Sequence, residues 1–341
     1  MFNIDVNGHT PIYKQLIAEI ERLIDNGELK EGDSLPSMNE MSTELNISKE
    51  TVKKVYSILR ERGLIESMHG KGFFVTAWRE SRKLRVFMLF DKLSQYKQTL
   101  YDAFVNRIGD RAEITLYVYN QDIDTFEEFV DHTLGKYDYY IITPHFNLDP
   151  VIQARALKTL KRIPNRKLVI LDNWPRSLQG NYGAVYQDMS NDIYEGLQSA
   201  LEDLRKYDKL HVVTLSTSLY GSLIMAGVER FCTDNNIKVE FHYEINSDMM
   251  KPGGVYLLLN GQLGLGLVET ARMAKLQGLE IGKDIGIISY NDSYLSEIIL
   301  GGLTTVSTDF EQMGCLAANM VLTRDLRKVK CDFRLTRRNT F

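Results

Sequence analysis

From residue 84 onward the chain alternates apolar strand-like runs with helical ones, and this alternation limits its possible folds more than any other feature. Eight runs have the length and the β-branched and aromatic content of buried strands: 84–90, 114–119, 139–143, 167–172, 210–215, 239–243, 255–260 and 285–290. Helical segments such as 98–108 and 191–206 lie between most of them. The pattern predicts an α/β fold in which helices cover both faces of parallel sheets.

Polar and aromatic residues follow the predicted strands at their carboxyl ends, where ligands bind in such folds. These residues are Asp91, Gln95, Tyr96, Thr143, His145, Asp172, Asn173, Trp174, Tyr220, Ser222, Asn260, Asn291 and Asp292. Amides and carboxylates that exchange hydrogen bonds, beside aromatic rings that cover apolar C–H faces, suit a sugar or a similar polyol. Any one of these residues is more often a helix cap or a loop residue, so the prediction rests on their shared position.

The first 76 residues predict a separate, smaller domain. Apolar side chains recur at helical spacing after Pro11, Ser37 begins a second helix with the spacing of a capping box, and Ser48 begins a third. Two strand-like runs then flank the glycines of MHGKGFFV, residues 68–75, and predict a β-hairpin. This order is typical of a winged helix-turn-helix, in which the third helix enters the major groove of DNA and the hairpin forms the wing.

Two details of this hairpin and helix stay open. The strand pattern does not decide which of Phe73 and Phe74 faces the core, because both faces of that strand are apolar. The chain is acidic up to Ser48 and basic from there to the hairpin, through Lys49, Lys53, Lys54, Arg60, Arg62 and Lys71. This positive charge lies where phosphates would lie, although a lysine-rich helix face considered alone is more often only solvated.

The N-terminal residues resemble the GntR family of bacterial transcription regulators. The resemblance runs through Pro11-x-Tyr13-x-Gln15, Gly27-x-Leu29, Gly32, Leu35-Pro36-Ser37, Ser48-x-x-Thr51-Val52, Leu59, Gly63-Leu64-Ile65 and Gly70-x-Gly72-x-Phe74-Val75. It implies DNA contacts from Ser37, Asn39, Ser48, Lys49, Thr51, Lys53, His69 and Gly70, to which the basic wing tip adds Lys71 as a phosphate contact. Many members have arginine at positions 39, 49 and 53, so their base preference does not transfer.

The second half of the chain resembles the LacI/GalR effector-binding domain, which shares its fold with type I periplasmic sugar-binding proteins. The sequences LLLNGQLGLGLVETA, residues 257–271, and IGKDIGIISYNDSYLSEIILGGLTTVSTDFEQMGCLAANMVL, residues 281–322, carry this resemblance. It implies two lobes of doubly wound parallel sheet and ligand contacts from Asp172, Asn260, Asn291 and Phe310. Asn291 replaces an aspartate and Ile224 replaces an arginine of many sugar-binding relatives, so the ligand is expected to have fewer hydroxyls near Ile224, as a deoxysugar does.

Together the two resemblances match the architecture of the AraR-like arabinose repressors. They imply a DNA-binding domain at 1–76, a linker at 77–83 and an effector-binding and dimerisation domain at 84–341. The expected partners are double-stranded operator DNA, a small-molecule effector of the sugar class, and a second copy of the chain in a homodimer. The expected function is repression of carbohydrate-utilisation genes that the sugar relieves.

The remaining patterns exclude several other functions. The net charge is −4, and neither a leader sequence nor an apolar run of membrane-spanning length is present, so we expect a cytoplasmic protein. The glycines at 261, 264 and 266 lack the order of a nucleotide loop and predict a closely packed helix start, and no cofactor is expected. The three cysteines and the histidines His132, His145, His211 and His242 lack metal-ligand spacing, and these histidines are expected at the surface or as caps.

Two alternatives to a regulator remain. A sugar-processing enzyme could use carboxylates such as Asp172 and Asp292 as acid and base, but no set of nucleophile, base and orienting group is visible. A transport-type sugar-binding protein would need an export signal, and none is visible. We therefore expect a regulator that is not an enzyme.

Overall fold

The computed structural model describes residues 2, 4–5, 10–25, 27–61, 63–68, 70–76, 83–216, 218–259 and 265–341. The chain divides into two units, Met1–Lys83 and Leu84–Phe341. Of the predicted linker, only Lys83 lies within the described residues.

The first unit contains the predicted three helices and hairpin. Its elements are α1 (Ile12–Asp25), β1 (Ser34–Leu35), α2 (Met38–Glu44), α3 (Lys49–Glu61), β2 (Ile65–Met68) and β3 (Gly72–Val75). The strands form an antiparallel sheet in the order β1-β3-β2. Helix α1 buries Leu16, Ile20 and Leu23, and α3 buries Val52, Val55 and Leu59 in the same core, as their helical spacing predicts.

Phe73 is the phenylalanine that anchors the wing. Its ring packs edge-on against Tyr56 of α3 with the centroids 4.6 Å apart. The Tyr56 hydroxyl in turn donates a hydrogen bond of 2.6 Å to the carbonyl oxygen of Pro36. Phe73 thereby connects the hairpin to α3 and, through Tyr56, to the residues that precede α2.

The second unit contains two parallel sheets, and we call the first lobe 1. Its sheet has the strand order β14-β8-β7-β6-β4-β5. The strands are β4 (Leu84–Phe90), β5 (Ala112–Val118), β6 (Tyr139–Ile142), β7 (Leu168–Asp172), β8 (Gly183–Tyr186) and β14 (Lys328–Lys330). The helices of its chain segment are α4 (Gln95–Ile108), α5 (Ile123–Thr133) and α6 (Pro150–Leu160).

The other sheet forms lobe 2 and has the order β10-β9-β11-β12-β13-β15, in which only β15 runs antiparallel. Its strands are β9 (Lys209–Val213), β10 (Val239–His242), β11 (Gly254–Leu258), β12 (Gly286–Tyr290), β13 (Thr304–Thr308) and β15 (Phe333–Thr336). The helices are α7 (Met189–Gln198), α8 (Leu201–Leu204), α9 (Gly221–Asn235) and α10 (Leu265–Leu276).

The chain passes between the two lobes three times. It enters lobe 2 after β8, returns through α11 (Phe310–Thr323), which packs on α4 of lobe 1, and enters lobe 2 again between β14 and β15.

The α/β prediction is confirmed, with differences in detail. All eight predicted strands exist, and β8, β13, β14 and β15 were missed because they are short or lack a clear apolar pattern. The predicted helix 191–206 is two helices. At the break between them, the Ser199 hydroxyl donates a hydrogen bond to the Gly196 carbonyl, and the Arg337 guanidinium donates one to the Ser199 carbonyl. His145 and His211 are buried, which corrects their expected surface positions. A Cβ added at Gly266 would have no atom within 4 Å. Close packing therefore does not require glycine at this position, which corrects the prediction of a closely packed helix start.

Among the described residues, no helix is both long and apolar enough to cross a lipid bilayer.

Candidate nucleic-acid interface and ligand cleft

The exposed face of α3 presents lysines that the rest of the first unit leaves largely accessible. The side chain of Lys53 is 67% exposed and lies 4.0 Å from Glu50, and Lys49 is also exposed. Lys54 differs, because its ammonium lies 3.9 Å from the centre of the Tyr13 ring on α1. Lys49 and Lys53 are therefore accessible on this face of α3, whereas Lys54 contacts α1.

The predicted serine and threonine contacts also hold the local fold. The Ser37 hydroxyl accepts a hydrogen bond of 3.2 Å from the Glu40 N–H, and the Glu40 carboxylate accepts one of 2.8 Å from the Ser37 N–H. These bonds hold the pKa of Glu40 below its usual value. The Ser48 hydroxyl accepts from the Thr51 N–H and lies 2.8 Å from the Thr51 hydroxyl. Ser37, Asn39 and Ser48 remain exposed, so these caps leave surface for a partner.

The wing tip depends on glycine. Gly70 and Gly72 have φ angles of 73° and 102°, which residues with a Cβ rarely adopt. The Lys71 N–H donates 3.0 Å to the Met68 carbonyl and closes the turn, with the Lys71 side chain exposed. His69, the predicted tip contact, lies outside the described residues.

In lobe 1 the candidate ligand cleft contains a buried ionic cluster. Asp91 follows β4 and Asp172 ends β7, and the ammonium of Lys97 lies 3.2 Å from Asp91 and 2.7 Å from Asp172. All three residues are 0% exposed. His145 Nε2 lies 3.1 Å from the same Asp172 oxygen, and the Thr143 hydroxyl donates 3.1 Å to Asp91. We call Asp91, Lys97, His145 and Asp172 the ionic cluster.

The charges of the cluster decide its protonation. Burial alone would raise the pKa of Asp172, but the charges of Lys97 and His145 outweigh it and hold that pKa far below its ordinary range. The same balance of burial against Lys97 and His145 lowers the pKa of Asp91. For Lys97, burial favours the neutral amine, yet Asp172 and Asp91 raise its pKa further. The cluster is therefore two carboxylates with a shared ammonium.

Sequence reasoning missed Lys97, although the helix carried a signal. Lys97 occupies the buried stripe of α4 with Leu100, Phe104 and Ile108, a face on which a lysine needs a partner. Its partners lie on strands distant in sequence, so only the fold identifies them.

Two hydrogen-bonded connections cross the cleft between the lobes. Gln187 donates to Asp172 of lobe 1 and accepts a bond of 2.9 Å from the Thr308 hydroxyl of lobe 2. Asn173 of lobe 1 donates 3.0 Å to the hydroxyl of Tyr220, which precedes α9 of lobe 2. The Tyr220 ring also packs perpendicular to His145 with the centroids 5.0 Å apart. Gln187 and Thr308 were not predicted, since neither follows a strand recognised from the sequence.

Strand ends on both sides of the cleft adopt left-handed backbone conformations. Asp172 has φ 72° and Asn291, after β12 of lobe 2, has φ 69°. The Asn291 Oδ1 and the hydroxyl of Tyr290 are buried and have no hydrogen-bond partner among the described residues. Left-handed backbone at non-glycine residues and buried polar atoms without a partner both cost free energy. Both features are concentrated at binding sites, where the polar groups face a ligand.

A groove of about 510 Å³ opens beside Tyr96 and Phe310, whose rings pack with centroids 4.7 Å apart. Asp292 also lines it, but its carboxylate is held by Arg338 at 2.9 Å. Burial would raise the pKa of Asp292, and Arg338 with Ser296 lowers it below the usual value. Tyr96, Phe310 and Asp292 therefore line one groove, and the centre of the Tyr96 ring lies 5.6 Å from the Lys97 ammonium of the ionic cluster.

The other predicted ligand contacts have mixed positions. Gln95 and Ser222 are exposed, and Trp174 lies under the guanidinium of Arg176 at 4.3 Å. Ile224, which replaces the arginine of many sugar-binding relatives, is buried. Asn260 lies outside the described residues. The carboxylates at these strand ends are paired with internal cations, Asp91 and Asp172 with Lys97 and Asp292 with Arg338.

Two family models match the chain. Residues 12–75 match the model of bacterial regulatory proteins of the gntR family. Residues 217–330 match the model of the periplasmic binding protein-like domain. Both domain types predicted from the sequence are thereby confirmed.

Individual relatives agree with this division. The HTH-type transcriptional repressor YtrA of Bacillus subtilis is 35% identical over 103 residues, which are 30% of this chain and 78% of the relative. The arabinose metabolism transcriptional repressor of Geobacillus stearothermophilus is 20% identical over 92% of this chain and 90% of its own length. For several other curated relatives, the chain spans only 27 to 35% of their length.

Solved structures share the fold of the larger unit. The lac repressor dimer bound to operator and the anti-inducer ONPF aligns with a TM-score of 0.59 at 17% identity, over 76% of this chain and 95% of that one. At this identity the likeness establishes the two-lobed fold.

Proposed function

This chain belongs to the GntR family of bacterial regulatory proteins, and on that premise we propose that it is a cytoplasmic repressor of carbohydrate-utilisation genes. It is a transcription regulator and not an enzyme, as predicted from its sequence. The proposed part concerns its DNA contacts, its effector and the coupling between them.

The proposed DNA interface consists of the exposed face of α3, the start of α2 and the wing tip. Lys49 and Lys53 extend into solvent, and Lys71 does so at the wing. Ser37, Asn39, Ser48, Thr51, His69 and Gly70 complete the proposed contact set. Lysines bind phosphate as point charges and release counterions, so the affinity for DNA falls as salt rises.

The proposed effector site is the cleft between the lobes, and the observation that carries it is the pair of connections Asn173–Tyr220 and Asp172–Gln187–Thr308. Both join carboxyl-terminal strand ends of one lobe to the other, where ligands bind in this fold class. The Tyr290 hydroxyl and the Asn291 Oδ1, which have no hydrogen-bond partner among the described residues, would form hydrogen bonds with a polar ligand there. The arabinose metabolism repressor among the relatives supports a sugar as the effector class.

The internal hydrogen bonds of Asp91 and Asp172 change the binding mode that we propose. Asp91 and Asp172 already accept hydrogen bonds from Thr143, Lys97 and Gln187, so we infer that they shape the cleft through Lys97. Tyr96, Tyr220, Ser222, Asn260, Asn291 and Phe310 are then the direct effector contacts, and Gln95 and Asp292 lie at its margin. A sugar would replace the contacts between the lobes with its own.

Effector and operator are coupled in this proposal by movement of the lobes in a homodimer. Two recognition helices in a dimer must match successive major grooves, so a change in their separation changes operator affinity. Such a coupling is typically about 1 to 3 kcal/mol. The expected sign is release of DNA when the sugar binds.

The DNA interface is tested by replacing Lys49 and Lys53 together with alanine and measuring operator binding across a salt series. Because two phosphate contacts are lost, the affinity falls and the slope of log affinity against log salt decreases by about 2. Lys30→Ala, at an exposed position of the same unit outside the proposed surface, is the matched control. An unchanged slope in the double variant would refute this interface.

The effector site is tested by thermal-shift screening against pentoses, hexoses, deoxysugars and sugar phosphates. A ligand of the folded protein raises its melting temperature by mass action. Asn291→Ala should abolish the shift, whereas Tyr243→Phe, at an exposed tyrosine, should preserve it. If a sugar binds but operator affinity stays unchanged at saturation, the proposed coupling between sugar and operator is wrong, whereas the proposed binding site is supported.

A further inference from the structure

Two histidines and a glutamate meet on one face of the lobe 2 sheet. His211 lies on β9 opposite Glu240 of the edge strand β10, and His242 follows two residues later on the same face of β10. His211 Nδ1 lies 3.1 Å from His242 Nε2. The Glu240 Oε2 lies 3.6 Å from the first nitrogen and 3.7 Å from the second.

A hydrogen-bond network explains only part of this geometry. One proton shared between the two imidazoles accounts for the 3.1 Å contact. The carboxylate oxygen is too far from either nitrogen for a hydrogen bond, yet it is almost equidistant from both. Ligand bonds of about 2.0 to 2.2 Å in a tetrahedral zinc site place donor atoms roughly 3.3 to 3.6 Å apart. The observed separations of 3.1, 3.6 and 3.7 Å are within about 0.2 Å of that range.

The surrounding residues hold the three donors in place. The His211 ring stacks on Tyr256 with the centroids 4.9 Å apart and the planes within 8°, and it is 7% exposed. The ammonium of Lys209 lies 2.6 Å from Glu240 Oε1, which leaves Oε2 turned toward the imidazoles. Groups that orient a ligand in this way are typical of the surroundings of metal sites.

We propose that His211, Glu240 and His242 bind a divalent transition metal ion of the zinc class. Imidazole nitrogens with a carboxylate suit zinc, and copper, nickel and cobalt compete for the same donors. Three protein ligands leave a fourth position, which water fills at this partly exposed edge. The ion joins the edge strand β10 to β9, so it stabilises the folded lobe.

No two histidines have metal-ligand spacing along the chain, so this site was not predicted from the sequence. The ligands come from positions 211, 240 and 242, and only the pairing of β9 with β10 brings them together. A histidine two residues after a glutamate on a predicted strand was the available signal.

The proposal is tested on the full chain after treatment with a chelator. Zn²⁺ is titrated in competition with a chromophoric chelator, and Co²⁺ is added separately to record its visible absorption. We expect one saturable site, a melting temperature that rises with Zn²⁺, and the intense visible bands of tetrahedral cobalt.

Two accessible ligands are replaced for comparison, as His242→Gln and Glu240→Gln. Each should weaken Zn²⁺ binding at least tenfold, because even groups behind the ligands change metal affinity by about 10- to 100-fold. His132→Gln is the matched control, since His132 lies 3.7 Å from Glu128 on an exposed helix without a second histidine. Absence of a saturable site in the wild type, or an unchanged affinity in either ligand variant, would overturn the proposal.

Discussion

The ammonium of Lys97 lies 2.7 Å from the carboxylate of Asp172, and neither side chain is accessible to solvent. A buried lysine requires this arrangement, because an unpaired charge in a protein interior costs several kcal/mol. The pair also holds the end of β7 at the cleft, where Asp172 accepts a hydrogen bond from Gln187 of the crossover. The same ion pair therefore contributes to stability and lies beside the proposed effector site.

Lys97→Met should lower the free energy of unfolding by about 3 to 5 kcal/mol, since it leaves Asp91 and Asp172 buried without their cation. Urea titration of the full chain measures the change. Lys92→Met, at an exposed position five residues earlier, is the control and should have little effect. A loss below about 1 kcal/mol in the Lys97 variant would show that the cluster relaxes into contact with water.

The ionic cluster also makes stability depend on pH. Burial would raise the pKa of Asp172 in the folded protein, but Lys97 and His145 lower it. In the unfolded chain the same side chain has a pKa of about 3.9. Below about pH 4 the unfolded chain therefore binds a proton that the folded chain does not, and stability falls as pH falls.

Asp172→Asn should make this fall less steep, by up to about 1.4 kcal/mol per pH unit for one proton. Urea midpoints between pH 6 and pH 3 measure the slope. Asp248→Asn, at an exposed position, serves as the control. Equal slopes for wild type and Asp172→Asn would contradict the role given to this carboxylate.

Phe73→Ala should destabilise the first unit by about 2 to 3 kcal/mol, because a partly buried ring that packs on Tyr56 is lost. Phe74→Ala on the same strand should cost less, since Phe74 is not part of that core cluster. Thermal unfolding of the two variants compares them. The reverse order would mean that Phe74 anchors the wing.

Gly314→Ala should destabilise the second unit, because a Cβ at this position of α11 would lie 2.3 Å from the Leu100 carbonyl oxygen of α4. Backbone on both sides must move, so we expect a loss of about 1 to 3 kcal/mol. Gly266→Ala is the matched control in another helix, where open space surrounds the position. It should be neutral or raise stability by up to about 1 kcal/mol, since alanine favours helix. Equal effects of the two substitutions on the melting temperature would contradict this account of α4–α11 packing.

The sequence by itself determined the two domain types and most of their elements. Helical spacing identified α1 and α3, the pattern of Ser37 and Glu40 identified the start of α2, and eight apolar runs identified strands. These features depend on residues close together in the chain, so local physical chemistry is sufficient to predict them. The polar residues at strand ends were predictable for the same reason, since each follows its own strand.

Only the tertiary structure decided which of these residues touch. The Lys97–Asp172 pair joins positions 75 residues apart, and Asp172 meets Thr308 of the other lobe through Gln187. The fold makes the buried side chains of Asp91 and Asp172 partners of one internal cation, Lys97. The pairing of β9 with β10 likewise brought His211 to Glu240 and His242. Such contacts depend on strand order and register, which no local pattern specifies, and they determine the charge and geometry of each site.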